Sequence, residues 1–290
     1  MNFELRPGKY IIAVSGGVDS VVLLNMLSKR RDLELIVAHF DHQIRVNSEL
    51  TRSFVSKEAG KLKLPFVSEK GNLGLRASEA QARQARYKFL FKIMKQTNSN
   101  AVITAHHQDD LLETMLINLI RGTGRKGLSS LRSTNKVIRP LLSYSKKQII
   151  AYAKQHGLAW REDPSNADLK YLRNYIRLKI VPKLSKQDKI KLIGISGKAK
   201  AKNRQIDTLL FKLIGGGNSI SREIFTKLDY SLAKEVMAEF LRQNNIALDE
   251  RKVNVLSIAA KAALPGKSIA LDKTSKLQVG LSEIKIVKTN

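Results

Sequence analysis

The stretch Tyr10–Ser20, with the sequence YIIAVSGGVDS, constrains the fold of this chain more than any other. It opens with a short apolar run, which is typical of a strand buried on both faces. Ser15, Gly16 and Gly17 then turn the chain, and the apolar residues beyond Ser20 recur at helical spacing. The stretch therefore predicts a strand, a glycine turn and a helix. Such a turn directs backbone N–H groups and the positive end of a helix at one point, which favours a bound phosphate.

This loop differs from two common phosphate loops. It lacks the lysine of GxxxxGK[ST], and it does not follow the GxGxxG pattern. An SGGxDS sequence after a strand resembles the pyrophosphate loop of the PP-loop ATP pyrophosphatases, which cleave ATP between its α and β phosphates. The alternative is an ordinary turn with two glycines. We predict that the loop binds ATP through residues Ser15, Gly16, Gly17, Val18, Asp19 and Ser20.

Composition narrows the class of protein. The chain has 290 residues, 43% of them hydrophobic, which is typical of a globular protein. No apolar run approaches the ~20 residues of a membrane span. The first ten residues contain no apolar signal core, so we expect a cytoplasmic protein.

Charge and cysteine content add two constraints. The net charge is +27, and Lys and Arg exceed Asp and Glu in each of the parts 1–140, 141–190 and 191–290. A basic folded chain of this kind indicates a polyanionic partner, most simply nucleic acid, although a general lysine bias is an alternative. The chain has no cysteine, which excludes disulfides, thiolate metal sites, iron–sulfur clusters and a cysteine nucleophile within it.

Strands and helices alternate from residue 9 to about 140. This order predicts an α/β fold with an open parallel sheet and helices on both faces. Ligands of such sheets bind beyond the carboxyl ends of the strands. Three segments with polar side chains directly follow predicted strands, so we expect Ser15–Ser20, His39–Arg45 and His106–Glu113 to meet in one crevice.

The rest of the chain has a different character. A helix is predicted over Tyr171–Val181, and a lysine-rich helix over Lys186–Arg204 is followed by the flexible glycines 215–217. Two helical segments and three short alternating runs follow, which indicates a small α+β domain. We predict a catalytic domain over 1–185, a helical linker over 186–217 and a small C-terminal domain over 218–290 that binds the nucleic acid.

Several ionisable side chains are candidates for chemistry. Four of the five histidines follow predicted strands, close to Asp41, Asp109, Asp110 and Glu113. Carboxylates beside a phosphate loop suit Mg²⁺, so Asp19, Asp109 and Asp110 are candidate metal ligands. Asp109 and Asp110 have an alternative role, since acidic residues at a helix start complement the helix dipole.

A specific resemblance extends over about residues 10–182. In its order and spacing of motifs the chain resembles the tRNA(Ile)-lysidine synthase family. The motifs are SGGVDS (15–20), HFDHQIR (39–45), EAQARQARY (79–87), TAHHQDDLLETMLINLIRGTG (104–124), IRPLL (138–142), REDPSN (161–166) and RNYIR (173–177). The C-terminal part resembles the family only loosely.

The resemblance implies a two-step ligase reaction with ATP and Mg²⁺. ATP adenylates the C2 oxygen of the wobble cytidine of an isoleucine tRNA with the anticodon CAU, releasing pyrophosphate. The side-chain amine of free lysine then attacks C2 and expels AMP. The product, lysidine, pairs with A instead of G, which changes the tRNA from methionine to isoleucine identity. The oligomeric state stays open, with a homodimer among the options.

The resemblance also suggests roles for individual residues. Arginines are candidates to neutralise the α-phosphate, while carboxylates and histidines are candidates to hold the lysine ammonium and accept its proton. The catalytic candidates are Asp41, Arg45, His106, His107, Glu113 and Arg121. The candidates for tRNA contact are Arg83, Arg173, Asn174 and Arg177. The sequence does not order them within each group.

Three other functions compete with this one. A tRNA thiolase of the same superfamily carries sulfur on cysteine or an iron–sulfur cluster, and this chain has no cysteine. A small-molecule ligase explains the loop but neither the net charge of +27 nor the RNYIR motif. A nucleic-acid-binding protein without activity needs no glycine loop beside three acidic segments.

Overall fold

The computed structural model describes residues 1, 3–41, 48–71, 78–162, 167–247 and 249–288. The candidate Arg45 and residues 163–166 of the REDPSN motif lie outside the described residues. The chain forms two compact units, Met1–Ala199 and Lys200–Asn290.

The first unit contains a five-stranded parallel sheet in the order β3-β2-β1-β4-β5. Its strands are β1 (Gly8–Ala13), β2 (Leu33–Asp41), β3 (Phe66–Lys70), β4 (Ala101–Ile103) and β5 (Val137–Ile138). In the register of the central strands Ile12 is paired with Val37 of β2 and with Ile103 of β4. All carboxyl ends therefore lie at one edge of the sheet, as the strand–helix alternation predicted.

Helices cover both faces of this sheet. They are α1 (Val18–Ser28), α2 (Ser48–Lys61), α3 (Glu79–Gln96) and α5 (Lys146–Gln155). A further helix, α4 (Gln108–Ile120), packs on Ile176 and Val181. Successive strand residues point to opposite faces, and Ile12 packs in a cluster with α1, α2 and α5, while Ile11 packs in a cluster with α3. Both isoleucines are fully buried. The prediction of an α/β fold with helices on both faces is confirmed.

Serine caps set the starts of two helices. Ser78 before α3 and Ser145 before α5 each form a capping box with a glutamine three residues later. In both boxes the hydroxyl accepts from the glutamine N–H, and the glutamine side chain accepts from the serine N–H.

The helix predicted over Tyr171–Val181 is less regular than expected. It consists of α6 (Leu172–Tyr175), a π-helical turn over Ile176–Ile180 and a 3-10 turn over Val181–Lys183. Pro182 has no N–H to donate and cannot continue a regular helix, so the α-helical pattern ends before it. The apolar periodicity alone does not show the wider π turn.

The second unit is an α+β domain with a four-stranded antiparallel sheet. Residues on both sides of the boundary between the units belong to α7 (Lys186–Ile214), which extends beyond the predicted Arg204. After α7 come β6 (Ser219–Ser221), α8 (Arg222–Lys227), α9 (Tyr230–Gln243), α10 (Glu250–Ala262), β7 (Ser268–Ala270), β8 (Ser275–Val279) and β9 (Glu283–Lys288). The strand order is β6-β9-β8-β7.

Two details of the second unit differ from the prediction. The first of the two predicted helical segments is divided into α8 and α9, because Asp229 caps α9 by accepting the N–H of Leu232 at 2.9 Å. The edge strand β6 was not predicted, since three residues are too few for a pattern. Among the described residues, no helix is both long enough and apolar enough to cross a membrane.

Candidate active site

The turn after β1 forms a compact loop around the hydroxyl of Ser20. Ser20 Oγ accepts the N–H groups of Ser15 and Gly16, each at 3.2 Å, and donates to the carbonyl of Gly17 at 2.8 Å. Gly16 has a φ of +88°, and a Cβ there would lie 2.9 Å from Thr51 Cγ2, so this position requires glycine. At Gly17 a Cβ would meet only Ser15 Oγ, at 3.7 Å. The protein itself therefore tolerates a side chain at Gly17, and its absence leaves room for a ligand.

Three helix N-termini meet beside this loop. Gly17 precedes α1, His107 caps α4 and Ser145 caps α5. Asp19 lies in the first turn of α1, and its Oδ1 is 3.7 Å from His107 Nε2. Lys146, the first residue of α5, places Nζ 2.7 Å from each carboxylate oxygen of Asp19. Because helix N-termini carry partial positive charge, this corner suits an anion.

Two acidic residues of α4 accept hydrogen bonds from backbone N–H groups beside the phosphate loop. Asp110 Oδ2 accepts the N–H of His107 at 2.9 Å, and Asp109 Oδ2 accepts the N–H of Lys146 at 3.2 Å. Burial acts to raise the pKa of Asp110, but His107, His106 and Arg177 outweigh it and hold this pKa below its usual value. Asp110 therefore stays charged. Its alternative role, complementing the dipole of α4, also requires a charged carboxylate.

Glu113 of α4 forms an ion pair with Arg177, and its carboxylate is buried. Arg177 donates from Nε to Oε1 at 2.7 Å and from Nη2 to Oε2 at 2.8 Å, and Nη2 also lies 3.3 Å from Asp110 Oδ1. Glu113 is 1% exposed. Burial acts to lower the pKa of Arg177, but the hydrogen bonds and charge of Glu113 raise it. Arg173 donates to Thr114 Oγ1 at 3.0 Å, so both arginines of the RNYIR motif bind α4.

The pKa of His106 lies well below its usual value, so its imidazole is neutral at pH 7. Its Nδ1 lies 2.9 Å from Thr104 Oγ1. Burial lowers the pKa of His106 to about 3, and the nearby Arg139, Arg86 and Arg83 lower it further against the opposing effect of Asp110. A ring with this pKa is a weak base at neutral pH and acts as a hydrogen-bonding group.

Three arginines surround the ring of Tyr87 on α3. The guanidinium carbons of Arg83 and Arg86 lie 4.9 and 5.6 Å from the ring centroid, and Arg139 Nη2 donates to the hydroxyl at 3.2 Å. All three contribute to the positive potential at His106. The tyrosine ring thus holds cations together that would otherwise repel one another.

The carboxyl end of β2 carries two buried polar side chains. His39 Nδ1 lies 2.8 Å from the carbonyl oxygen of Val14, and burial lowers the pKa of His39. This contact joins the ends of β1 and β2, which is a structural role. Asp41, the last residue of β2, is 4% exposed. It lies at the same sheet edge as the phosphate loop, because β1 and β2 are parallel and in register.

Some predicted site residues lie away from the phosphate loop or have a structural role. Arg121 is exposed and caps the other end of α4, so the 13 residues of this helix, about 20 Å, separate it from His107. Asn174 is buried and donates to the carbonyl of Asp168 at 2.9 Å. Val18 is a buried residue at the start of α1.

Carboxylate groups alone do not form a metal site here. Among the residues that the structure describes, no three His, Asp or Glu side chains are grouped so that they could hold a metal ion. Mg²⁺ bound to a nucleotide needs only one or two carboxylates, because phosphates and water supply the other ligands. The side chain of Asp19 is about one quarter exposed beside the loop, and it fits this requirement with Asp109 or Asp110.

Sequence reasoning missed four residues of the site. Tyr87 and Arg86 lie in the EAQARQARY motif, and the four-residue spacing of Arg83 and Tyr87 on a helix is a signal for their contact. Arg139 follows β5. Lys146 is 127 residues from Asp19 along the chain, and no local pattern links the two.

The family of the chain follows from its N-terminal part. Residues 2–184 match the family model of the PP-loop domain, which is an ATP-binding domain. The chain belongs to this PP-loop family.

Relatives of this PP-loop protein carry a more specific name. It is 39% identical over 184 residues to a protein of Thermus thermophilus named tRNA(Ile)-lysidine synthase, covering 61% of this chain and 36% of the relative. It is also 39% identical over 194 residues to a protein of the same name from Geobacter sulfurreducens, covering 62% and 41%. The resemblance inferred from the motifs is confirmed. The chain matches less than half of the length of these relatives.

A solved structure shares the fold. The U34-tRNA thiolase NcsA from Methanococcus maripaludis, determined with its [4Fe-4S] cluster, aligns with a TM-score of 0.58 at 17% identity, covering 68% of this chain and 73% of the thiolase. This likeness supports the parallel-sheet architecture. The present chain has no cysteine that could bind such a cluster.

Proposed function

We propose that this PP-loop protein is an ATP-dependent ligase that joins free lysine to C2 of the wobble cytidine of the isoleucine tRNA with the anticodon CAU. The reaction forms lysidine and releases pyrophosphate and AMP. It changes the codon and amino-acid specificity of the tRNA from methionine to isoleucine.

One observation carries this proposal. Three of the motifs on which the resemblance rests contribute side chains to one connected group, in which Asp19 lies beside His107, His107 beside Asp110, and Asp110 beside Arg177. A general nucleotide-binding domain needs the loop of Asp19 but not an ion pair with the RNYIR segment.

The first step is the attack of the cytidine O2 on the α-phosphate of ATP, with pyrophosphate as the leaving group. The N–H groups of Ser15 and Gly16, now directed at Ser20 Oγ, are the donors for the phosphates. The three arginines around Tyr87 are close enough to His106 to lower its pKa, and they supply fixed positive charge for the developing charge of the transition state. Mg²⁺, bound through Asp19 with Asp109 or Asp110, would neutralise phosphate charge.

The second step is the attack of the lysine side-chain amine on C2, in which the C2–O bond to the adenylate breaks and AMP leaves. The amine is an ammonium with a pKa of ~10.4 in solution, so it needs an anionic partner and a proton acceptor. The lowered pKa of His106 makes its imidazole a poor acceptor. We assign the role of anionic partner to Asp41, a buried carboxylate at the same sheet edge. The phosphate of the departing AMP, whose second pKa is ~6, accepts the proton.

Glu113 and Arg177 have a positioning role in this scheme. The two charge-assisted hydrogen bonds fix the guanidinium of Arg177 beside Asp110. Arg83, Arg173 and Arg177 contact the tRNA, while Asn174 holds the segment that carries two of these arginines.

The other Lys and Arg side chains bind phosphates of the tRNA backbone. The net charge of +27 is spread along the chain, and phosphate contacts by Lys and Arg dominate nucleic-acid affinity. We propose a catalytic domain over 1–185, a helical linker over 186–217 and a tRNA-binding domain over 218–290, in a protein of the cytoplasm.

Mass analysis of the tRNA tests the proposal directly. An unmodified isoleucine tRNA with the anticodon CAU is incubated with the protein, ATP, Mg²⁺ and lysine, then digested to nucleosides. The expected product is a cytidine heavier by one lysine less one water. Omission of lysine or ATP, and the Asp19→Ala variant, should each prevent the mass change. The Asp19→Ala protein should still bind tRNA. An unchanged tRNA in the complete reaction contradicts the proposal.

A further inference from the structure

Lys146 places a cation at the phosphate loop, and it comes from a distant part of the chain. Its Nζ lies 2.7 Å from both oxygens of Asp19, inside the SGGVDS loop. A Walker loop carries its own lysine for the β and γ phosphates. The loop of this protein contains none. Lys146 therefore supplies, from outside the loop, the positive charge that the loop sequence lacks.

The backbone around Lys146 is held firmly in place. The capping box of Ser145 and Gln148 fixes the start of α5, and Asp109 accepts the N–H of Lys146 at 3.2 Å. Ile149 and Ala153 of the same helix are fully buried in the core. The side chain of Lys146 is 37% exposed, so its ammonium can move while its Cα stays fixed.

We infer that Lys146 binds the β and γ phosphates of ATP and the leaving pyrophosphate, and that it exchanges Asp19 for them when the nucleotide binds. This inference rests on the proposed use of ATP and names a residue of that same site. A polyphosphate carries more negative charge than one carboxylate and offers more oxygens to an ammonium. The exchange also frees the carboxylate of Asp19 beside the phosphates.

Nucleotide binding without tRNA and lysine tests the contact. The probes are ATP, AMP and inorganic pyrophosphate, titrated by calorimetry. Lys146→Met should weaken ATP and pyrophosphate about 10- to 100-fold, in line with the loss of a charge-assisted hydrogen bond. AMP has no β or γ phosphate, so its affinity should not change. Lys146→Arg should restore most of the loss. The matched control Lys147→Met removes the neighbouring exposed lysine and should change none of the three affinities.

A double-mutant cycle in metal-free buffer tests the exchange. Asp19→Asn should tighten pyrophosphate binding several-fold, because Lys146 no longer has to leave a carboxylate. The gain should be clearly smaller when Lys146→Met is also present, since only the removal of a repelling charge then remains. An equal gain in both backgrounds overturns the exchange, since it then reflects only the removal of a repelling charge.

Other results separate this inference from the proposed function. An equal loss of ATP and AMP affinity in Lys146→Met, or no loss, overturns the phosphate contact even if lysidine forms. A wild-type protein that shows the ATP-specific effect but makes no lysidine overturns the proposed function and leaves the role of Lys146 intact. Wild-type protein that binds neither ATP nor pyrophosphate overturns both.

Discussion

Arg177 binds both carboxylate oxygens of Glu113, with Nε at 2.7 Å and Nη2 at 2.8 Å. The two residues are not equally buried, since the side chain of Glu113 is 1% exposed and that of Arg177 is 33% exposed. Loss of the arginine therefore leaves a charge in the interior, whereas loss of the carboxylate leaves a cation that reaches water. Removal of Arg177 and removal of Glu113 should therefore lower the free energy of unfolding by different amounts.

The first prediction concerns this asymmetry. Arg177→Met should reduce the free energy of unfolding by about 2 kcal/mol at neutral pH, because it leaves a buried carboxylate whose remaining cationic partner is Arg173, with Nε 3.5 Å from Oε2. Glu113→Gln should reduce the free energy of unfolding by clearly less. The double variant should be more stable than Arg177→Met alone. Urea unfolding of the four proteins measures this cycle, and additive losses in the double variant would show that the pair is not coupled.

The second prediction is a pH dependence of stability caused by His106. Burial lowers its pKa to about 3, below the unfolded value of ~6.5. The unfolded chain then binds a proton that the folded protein does not, so stability rises with pH between these values. The contribution of His106 is fully present above pH ~6.5 and is lost as the pH falls toward 3.

Urea midpoints at pH 5 and pH 7.5 measure this effect. The His106→Asn variant should lose less stability than the wild type when the pH is lowered. His156 is exposed and stacks on Tyr152 at the end of α5, so His156→Gln is a suitable control. The control should keep the wild-type pH dependence. A variant at His106 with an unchanged pH dependence would contradict the lowered pKa.

The third prediction separates the ring of Tyr87 from its hydroxyl. Tyr87→Leu removes the surface on which Arg83 and Arg86 rest and should lower kcat/KM for tRNA modification about tenfold. Tyr87→Phe keeps that surface and loses only the hydrogen bond from Arg139. It should retain most of the activity. Equal losses in both variants would assign the effect to the hydroxyl.

Local patterns explain why much of the fold was predictable. The strand, glycine turn and helix around Gly16 follow from residues that are close together in the chain. The meeting of the polar loops at one edge follows from parallel strands, since their carboxyl ends coincide. These features need only neighbouring residues and the geometry of one sheet.

Features that depend on distant contacts were not predictable. The Lys146–Asp19 pair joins residues 127 apart, and the bond of Arg177 to Glu113 joins residues 64 apart. Arg121 shares a helix with Glu113, but the sequence motif does not reveal that it lies at the opposite end from the site. Motif membership thus identified segments that the structure brings together, while the contacts of their side chains needed the structure.

The fourth prediction concerns salt. If Lys and Arg contacts to phosphates dominate tRNA binding, the affinity should fall steeply with ionic strength, with a log–log slope of about −0.7 to −0.9 per contact. Filter binding across a salt series measures this slope. Arg173→Gln should make the slope less steep by about one contact. An affinity independent of salt would mean that the charge of +27 does not serve RNA binding.

The last prediction separates the two chemical steps through Asp41. This carboxylate is 4% exposed at the end of β2 and lies at the sheet edge that carries the phosphate loop. Asp41→Asn keeps the shape of the side chain and removes its charge. If Asp41 holds the lysine ammonium, the variant should still exchange pyrophosphate with ATP in the presence of tRNA, but it should form no lysidine. If Asp41 instead acts on the metal, both the exchange and lysidine formation should fail. Parallel assays of pyrophosphate exchange and nucleoside mass distinguish these results, and normal lysidine formation by Asp41→Asn would exclude both roles.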